Sequence, residues 1–227
     1  MNDFLYSIAQ EPLKVIDNNI SLEKYVPISI SSENKTLTSF DVSSALAWEA
    51  YIDKYLQSKN EATVAYGGYL EKRDIYKRST YFNKEAGDDE RNIHLGIDLW
   101  CAEQTNVLAV LDGEIHSFGN NKNYGDYGPT IIIKHEVGNF VFFSLYGHLS
   151  LESIKNKKVG QKVKKEEIIG TLGDHTINGD YAPHLHFQLI KDMGEYIGDY
   201  PGVCSKNDVN YFKVNCPNPN LLLKLPF

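Results

Sequence analysis

Two short histidine motifs carry side chains able to bind and use a metal: His94-Leu95-Gly96-Ile97-Asp98 and His184-Leu185-His186-Phe187. Neutral imidazole nitrogens with one carboxylate are the donor set of a catalytic zinc site. Such a site takes three protein ligands and keeps a fourth position open for water or substrate. The spacings suit extended chain, because alternate side chains of a strand share a face. His184 and His186 then point the same way. His94, Gly96 and Asp98 share a face as well, with Leu95, Ile97 and Leu99 turned towards the core. A helix would also align positions four apart, but Gly96 and the β-branched Ile97 favour a strand. The expectation is a metal site carried on strands.

A third segment, Tyr146-Gly147-His148-Leu149-Ser150, follows the apolar run Phe140-Val141-Phe142-Phe143. With the order His-x-x-x-Asp, Tyr-x-His-Leu, His-Leu-His-Phe complete, the chain resembles the lysostaphin-type zinc metallopeptidases, the M23 or LytM-like family. The connecting segments are similar too. Val107–Ile115 resembles the family's strand, tight turn and strand, and Tyr127–His135 its next core strand. Val159–Val163 and Ile168–Gly173 resemble the glycine-punctuated strands before the last motif. Residues 66 to 195 carry the resemblance. The flanking Tyr66–Arg73 and Gly198–Gly202 look like a subgroup of the family in which the domain is sometimes fused to other enzymes.

The resemblance implies roles. His94, Asp98 and His186 fall on the positions of the family's three zinc ligands. His148 and His184 fall on its two non-ligand histidines, which flank the nucleophilic water and the scissile carbonyl. The chemistry is sound in its own right, since zinc acidifies water and polarises carbonyls. An imidazole, whose pKa lies near working pH, can take one proton and return another to a leaving amine. Which of the two histidines is the base stays open. A single one of these residues would more often be structural; five in the family's order argue for a metal centre.

The remaining histidines are expected to be structural or superficial: His135 at the end of a core strand, His116 at the surface, and His175 in a solvent-facing turn. Many family members carry a tyrosine shortly before the first histidine, which helps stabilise the developing oxyanion. Here Gly87–Ile93 holds none. Tyr81 and Tyr76 lie further back, and core packing is the expectation for both.

The elements that must position these groups follow. Short apolar runs alternate with glycine-rich turns from residue 62 to 175, which reads as antiparallel sheet. The expected fold is mainly β, an antiparallel sheet or sandwich with an open groove, preceded by an N-terminal helix-containing extension. Residues 1–61 form that extension, 62–195 the metallopeptidase core and 196–227 a tail packing on it. In the extension Pro27 suggests an edge strand. Asp41 opens a helix over about residues 42 to 58, with Leu46, Trp48, Ile52, Tyr55 and Leu56 near one face. Two roles are open for this segment. It packs on the outside of the sheet, or it lays Glu33, Asn34 or Asp41 across the groove as a fourth ligand.

With 227 residues, 42% of them hydrophobic, the chain can bury a substantial core. A net charge of −7 without a basic patch argues against nucleic acid as a partner. Nothing in the sequence suits a membrane span. Met1–Ala9 has neither the positive nor the apolar region of an export signal, which leaves a cytoplasmic protein or one whose signal is not part of this sequence. Cys101, Cys204 and Cys216 lack metal-motif spacing and are expected to be free buried thiols, a Cys204–Cys216 disulfide being the alternative. The expected function is zinc-dependent endopeptidase action on a peptide, in particular peptidoglycan stem or cross-bridge peptides. The alternatives are a cytosolic zinc hydrolase of small peptides or peptide-like metabolites, and a non-catalytic groove-binding regulatory module. Oligomeric state is left open.

Overall fold

The computed structural model describes residues 1–80, 82 and 89–226. Twelve strands are present among them: β1 (Tyr25–Pro27), β2 (Val64–Gly67), β3 (Arg91–His94), β4 (Ile97–Trp100), β5 (Asn106–Leu108) and β6 (Gly113–Asn121), then β7 (Gly128–Val137), β8 (Phe140–Gly147), β9 (Lys162–Val163), β10 (Ile168–Thr171), β11 (His184–Ile190) and β12 (Val203–Ser205). The helices are short except one: α1 (Asn2–Ile8), α2 (Ala45–Gln57), α3 (Glu152–Lys155), α4 (Val209–Asn215) and α5 (Asn220–Leu223).

Eight strands form one sheet in the order β1-β2-β4-β11-β8-β7-β6-β9. Every pairing in it is antiparallel except β1 with β2. Pro27 ends the edge strand, where its missing N–H costs no ladder bond. Two further pairs, β5 with β10 and β3 with β12, lie outside this sheet. The fold is thus mainly β and antiparallel, with helices in the N-terminal segment, as the alternation of apolar runs and turns predicts.

The central strand β11 is buried along its whole length. Leu185, Phe187 and Leu189 point into the main core with Ile97, Leu99, Ile131, Ile133 and Tyr146. By the period of two, His184, His186 and Gln188 must then face the other side. That face is the site face, and it is polar because the opposite face already supplies the core.

Three local expectations need correction. The first histidine motif is not one strand. β3 ends at His94 and pairs with β12, while β4 starts at Ile97 and pairs with β2 and β11. The break falls at Leu95-Gly96, where a Cβ on Gly96 would meet His186 Cε1 at 2.7 Å and the Phe187 carbonyl oxygen at 2.7 Å. Glycine lets the chain change sheets while hugging β11.

The long helix starts at Ala45, not at residue 42. Ser44 caps it by accepting from the Ala47 N–H, whereas the Asp41 carboxylate accepts from Ser43 in a local turn. Leu46 is exposed rather than on the packed face. Ala45, Trp48, Ile52 and Leu56 are the residues that face the protein, and Leu46 sits about 100° round the helix from Ala45.

The N-terminal segment is not confined to the outside of the sheet. It adds β1 to the sheet edge, and α2 buries Trp48 in a second apolar cluster with Ile30, Ile75, Tyr76, Trp100 and Tyr181. At the other end, Leu222 and Leu223 of α5 are buried in the main core. No helix among the described residues is long and apolar enough to cross a membrane.

Candidate metal centre

β4, β11 and β8 lie side by side and deliver the site. Their register sets His186 opposite Asp98 on one neighbour and opposite Gly147 on the other. His94 reaches the same point from the end of β3. His148 follows β8 directly and adopts a left-handed backbone, φ 63°, uncommon for a residue with a Cβ. That turn holds its ring against the others, 4.2 Å from the His184 ring centre to centre. All five side chains are at least nine-tenths buried. They line one cavity, whose walls include Trp48, Tyr76, Trp100, Tyr127 and Tyr181.

Three atoms converge. His94 Nε2 lies 2.8 Å from His186 Nδ1, and Asp98 Oδ1 lies 3.2 Å from the first and 3.1 Å from the second. The outer nitrogens fix the tautomers. His94 Nδ1 donates to the Gly68 carbonyl at 3.0 Å, so its Nε2 presents a lone pair. His186 Nε2 donates to Gln188 Oε1 at 2.8 Å, so its Nδ1 does the same. Gln188 is held in that orientation because its amide nitrogen donates to the Pro201 carbonyl at 3.1 Å and to Cys216 Sγ at 3.3 Å.

Two imidazole lone pairs and a carboxylate oxygen therefore face one another with no proton between them. A cation satisfies this arrangement. The three separations also approach the roughly 3.3 Å ligand–ligand edge of a tetrahedral zinc site with bonds near 2.0–2.1 Å. His94, Asp98 and His186 are the one group of three or more metal-binding side chains of this kind among the described residues.

The electrostatics agree. Burial opposes charge on Asp98, yet the permanent charge of the Arg73 guanidinium beside it helps hold the carboxyl well below its usual range. Burial and then Arg73 push His94 down to about 4, keeping its imidazole neutral. Asp98 Oδ2 accepts from Arg73 Nη1 at 2.5 Å, which leaves Oδ1 for the histidines.

His148 and His184 stand apart from this triangle. His148 Nδ1 donates to the Asn178 carbonyl at 2.7 Å, and His184 Nδ1 to the Ala182 carbonyl at 2.7 Å. Both rings thus keep Nε2 as an acceptor, and His184 Nε2 lies 3.9 Å from Asp98 Oδ1. Burial lowers the pKa of both, with the neighbouring histidines adding to the effect at His148. These are neutral bases within reach of a common point.

Other sequence expectations fall into place around them. His135 is buried with both nitrogens engaged, and His116 is half-buried with its ring packed on Phe143. His175 is partly exposed. Tyr76 packs in the second cluster as expected but also lines the cavity, its hydroxyl 3.4 Å from Arg73 Nη1. Tyr81 lies outside the described residues. Asn34 is spent on Thr36, Tyr51 and the Ser29 carbonyl, and Asp41 on Ser43, so neither crosses the groove. Glu33 is exposed and not among the cavity's lining. All three cysteines are buried and free, with no disulfide between Cys204 and Cys216.

Sequence reasoning missed Arg73, Tyr127 and Gln188. Gln188 had a signal, being the next residue on the His184–His186 face. Tyr127 OH lies 3.4 Å from His186 Nε2, a contact made across 59 residues of chain that no local pattern announces.

Residues 92–198 match the model of peptidase family M23. No curated protein sequence matches the chain. Among solved structures, the catalytic domain of the antimicrobial peptidase lysostaphin from Staphylococcus simulans is 26% identical. It aligns over 65% of this chain and 88% of that one, with a TM-score of 0.39. The catalytic domain of the prophage-encoded M23 protein EnpA from Enterococcus faecalis is 24% identical over 47% of this chain and 75% of that one, with a TM-score of 0.37. A zinc-containing peptidase from Vibrio cholerae is 26% identical over 46% of this chain and 29% of that one, with a TM-score of 0.34. All five side chains of the cluster lie within residues 92–198, the span that matches the model of peptidase family M23.

Proposed function

We propose that the protein is a zinc-dependent endopeptidase, with His94, Asp98 and His186 as zinc ligands and His148 and His184 as the proton-transfer groups. The observation that carries the reading is the convergence of two imidazole lone pairs and a carboxylate oxygen, without a proton between them, in a peptidase-family domain. A bound zinc supplies Lewis acidity there, polarising a carbonyl and letting a water give up its proton near neutral pH.

The chain's own residues do the rest. Gly68 and Gln188 hold the ligand tautomers by accepting the outer N–H groups, the usual way a protein orients metal-binding histidines. Asn178 and Ala182 carbonyls do the same for His148 and His184 and aim each Nε2 lone pair into the cavity. One of the two accepts the proton of the attacking water, and a protonated imidazole gives it to the departing amine. The cavity's aromatic walls keep bulk water off the site and strengthen its electrostatics.

The substrate class proposed is peptide, and within it the stem or cross-bridge peptides of peptidoglycan. The motif order His94–Asp98, His148, His184–His186 supports it, being that of the lysostaphin-type enzymes. Purified peptidoglycan and a panel of short glycine- and alanine-containing peptides, incubated with the zinc-loaded protein, test this. New amino termini should appear, vanish with a chelator and return with zinc. Cleavage of the short peptides with peptidoglycan untouched would remove the wall substrate. Cleavage of neither would remove the enzyme.

A further inference from the structure

Asp98 is held from behind by a charged relay, buried at Arg73 and half-buried at Glu71, that reaches the exposed Ser29 of the N-terminal extension. Arg73 is 2% exposed and lies outside the span that matches the peptidase family. Its backbone is delivered by pairing along β3, with Arg73 N–H donating to the Asn92 carbonyl and Lys72 bridging Ile93. The guanidinium lies over the Trp100 ring at 5.6 Å and uses two edges of its fork. Nη1 donates to Asp98 Oδ2 at 2.5 Å, and Nε donates to Glu71 Oε2 at 2.8 Å. The other Glu71 oxygen accepts from the Ser29 hydroxyl at 2.6 Å and from the Ile30 N–H at 3.1 Å.

A carboxylate ligand can rotate, bind through either oxygen or bind through both. With Oδ2 occupied by Arg73, only Oδ1 faces His94 and His186. The fork is what makes this work, since one planar group bridges two carboxylates in a fixed plane, whereas an ammonium is a point charge. Replacing a buried ion pair by well-packed apolar side chains is often neutral for stability, so stability alone does not single out an arginine here.

We propose that Arg73 is a positioning residue for the metal ligand Asp98, and that Ser29 and Ile30 of the N-terminal extension hold it in place through Glu71. The extension then serves the metal centre directly. This inference rests on the metal reading given above.

Cobalt(II) loaded into the metal-free full-length protein tests it, because its visible absorption reports coordination number and its affinity is read by competition with a chelator. The wild type should bind one cobalt per chain. Arg73→Met and Arg73→Lys should bind it roughly 10–100-fold more weakly, the scale seen when the outer partner of a metal ligand is removed. Both should show an altered absorption spectrum, and Glu71→Gln should change in the same direction by less. Circular dichroism checks that each variant folds. If Arg73→Met does not fold, Glu71→Gln and Ser29→Ala decide, and wild-type affinity and spectrum in both would overturn the relay. A lysine variant identical to wild type would overturn the role of the fork. No cobalt bound by the wild type would instead defeat the metal reading itself.

Discussion

His135 and His186 are buried histidines on strands of the same sheet, and their surroundings could hardly differ more. His135 Nδ1 meets the Asp112 carbonyl at 2.9 Å and Nε2 meets Ser144 Oγ at 2.7 Å, so both nitrogens are satisfied by the protein. His186 has one nitrogen satisfied by Gln188, while the other faces a second imidazole lone pair and a carboxylate. A buried acceptor without a donor is costly, and three converging on one point are costlier still. Burial alone therefore does not distinguish a ligand from a structural histidine. The unbalanced account of donors and acceptors does.

The largest effect expected from this contrast is at the triangle. His186→Ala should lose stoichiometric zinc and fall to the activity of chelator-treated protein, while His135→Gln retains both. Equal zinc in the two variants, by elemental analysis, would break the comparison. His148→Ala and His184→Ala come next. Each should retain zinc and lose about 10²-fold or more in activity, the scale of a general acid–base group. Loss of the metal in either would redraw the ligand set. Gln188→Leu removes the acceptor that fixes the His186 tautomer, and zinc affinity should drop by roughly 10–100-fold. An unchanged affinity in a zinc competition assay would deny Gln188 that function.

The smallest effect concerns His135 and stability. Burial lowers its pKa from 6.5 to about 4. The unfolded chain thus takes up a proton near pH 6.5 where the folded protein does not. The associated stability is present above pH 6.5 and is lost as pH falls from there towards 4, by about 3 kcal/mol in all. Urea unfolding of His135→Gln should show a shallower loss over that window than the wild type. Parallel slopes would mean that His135 does not carry this dependence.

The fold class was legible from local patterns, and the five clustered side chains from the order of three motifs that resembles the M23 family. Period-two alternation in His184–Gln188 sets one face against the other, and glycine-rich turns separate the strands. The break at Leu95-Gly96 was not legible, since the approach of β11 that requires Gly96 is a tertiary fact. The helix start shifted from Asp41 to Ser44 because two capping residues compete within four positions and packing of Ala45 and Trp48 decides. Arg73 was hidden for a similar reason. The resemblance of Tyr66–Arg73 to a family subgroup gave Arg73 no role, and only the pairing of residues 70–73 with β3 turns it inward onto Asp98.

Titration of the metal-free protein with zinc, followed calorimetrically, tests the central claim most directly. The account predicts one zinc per chain in the wild type and no stoichiometric binding in Asp98→Ala, with both proteins folded. Wild-type protein that binds no zinc, or an Asp98→Ala variant that binds it equally well, would contradict the account.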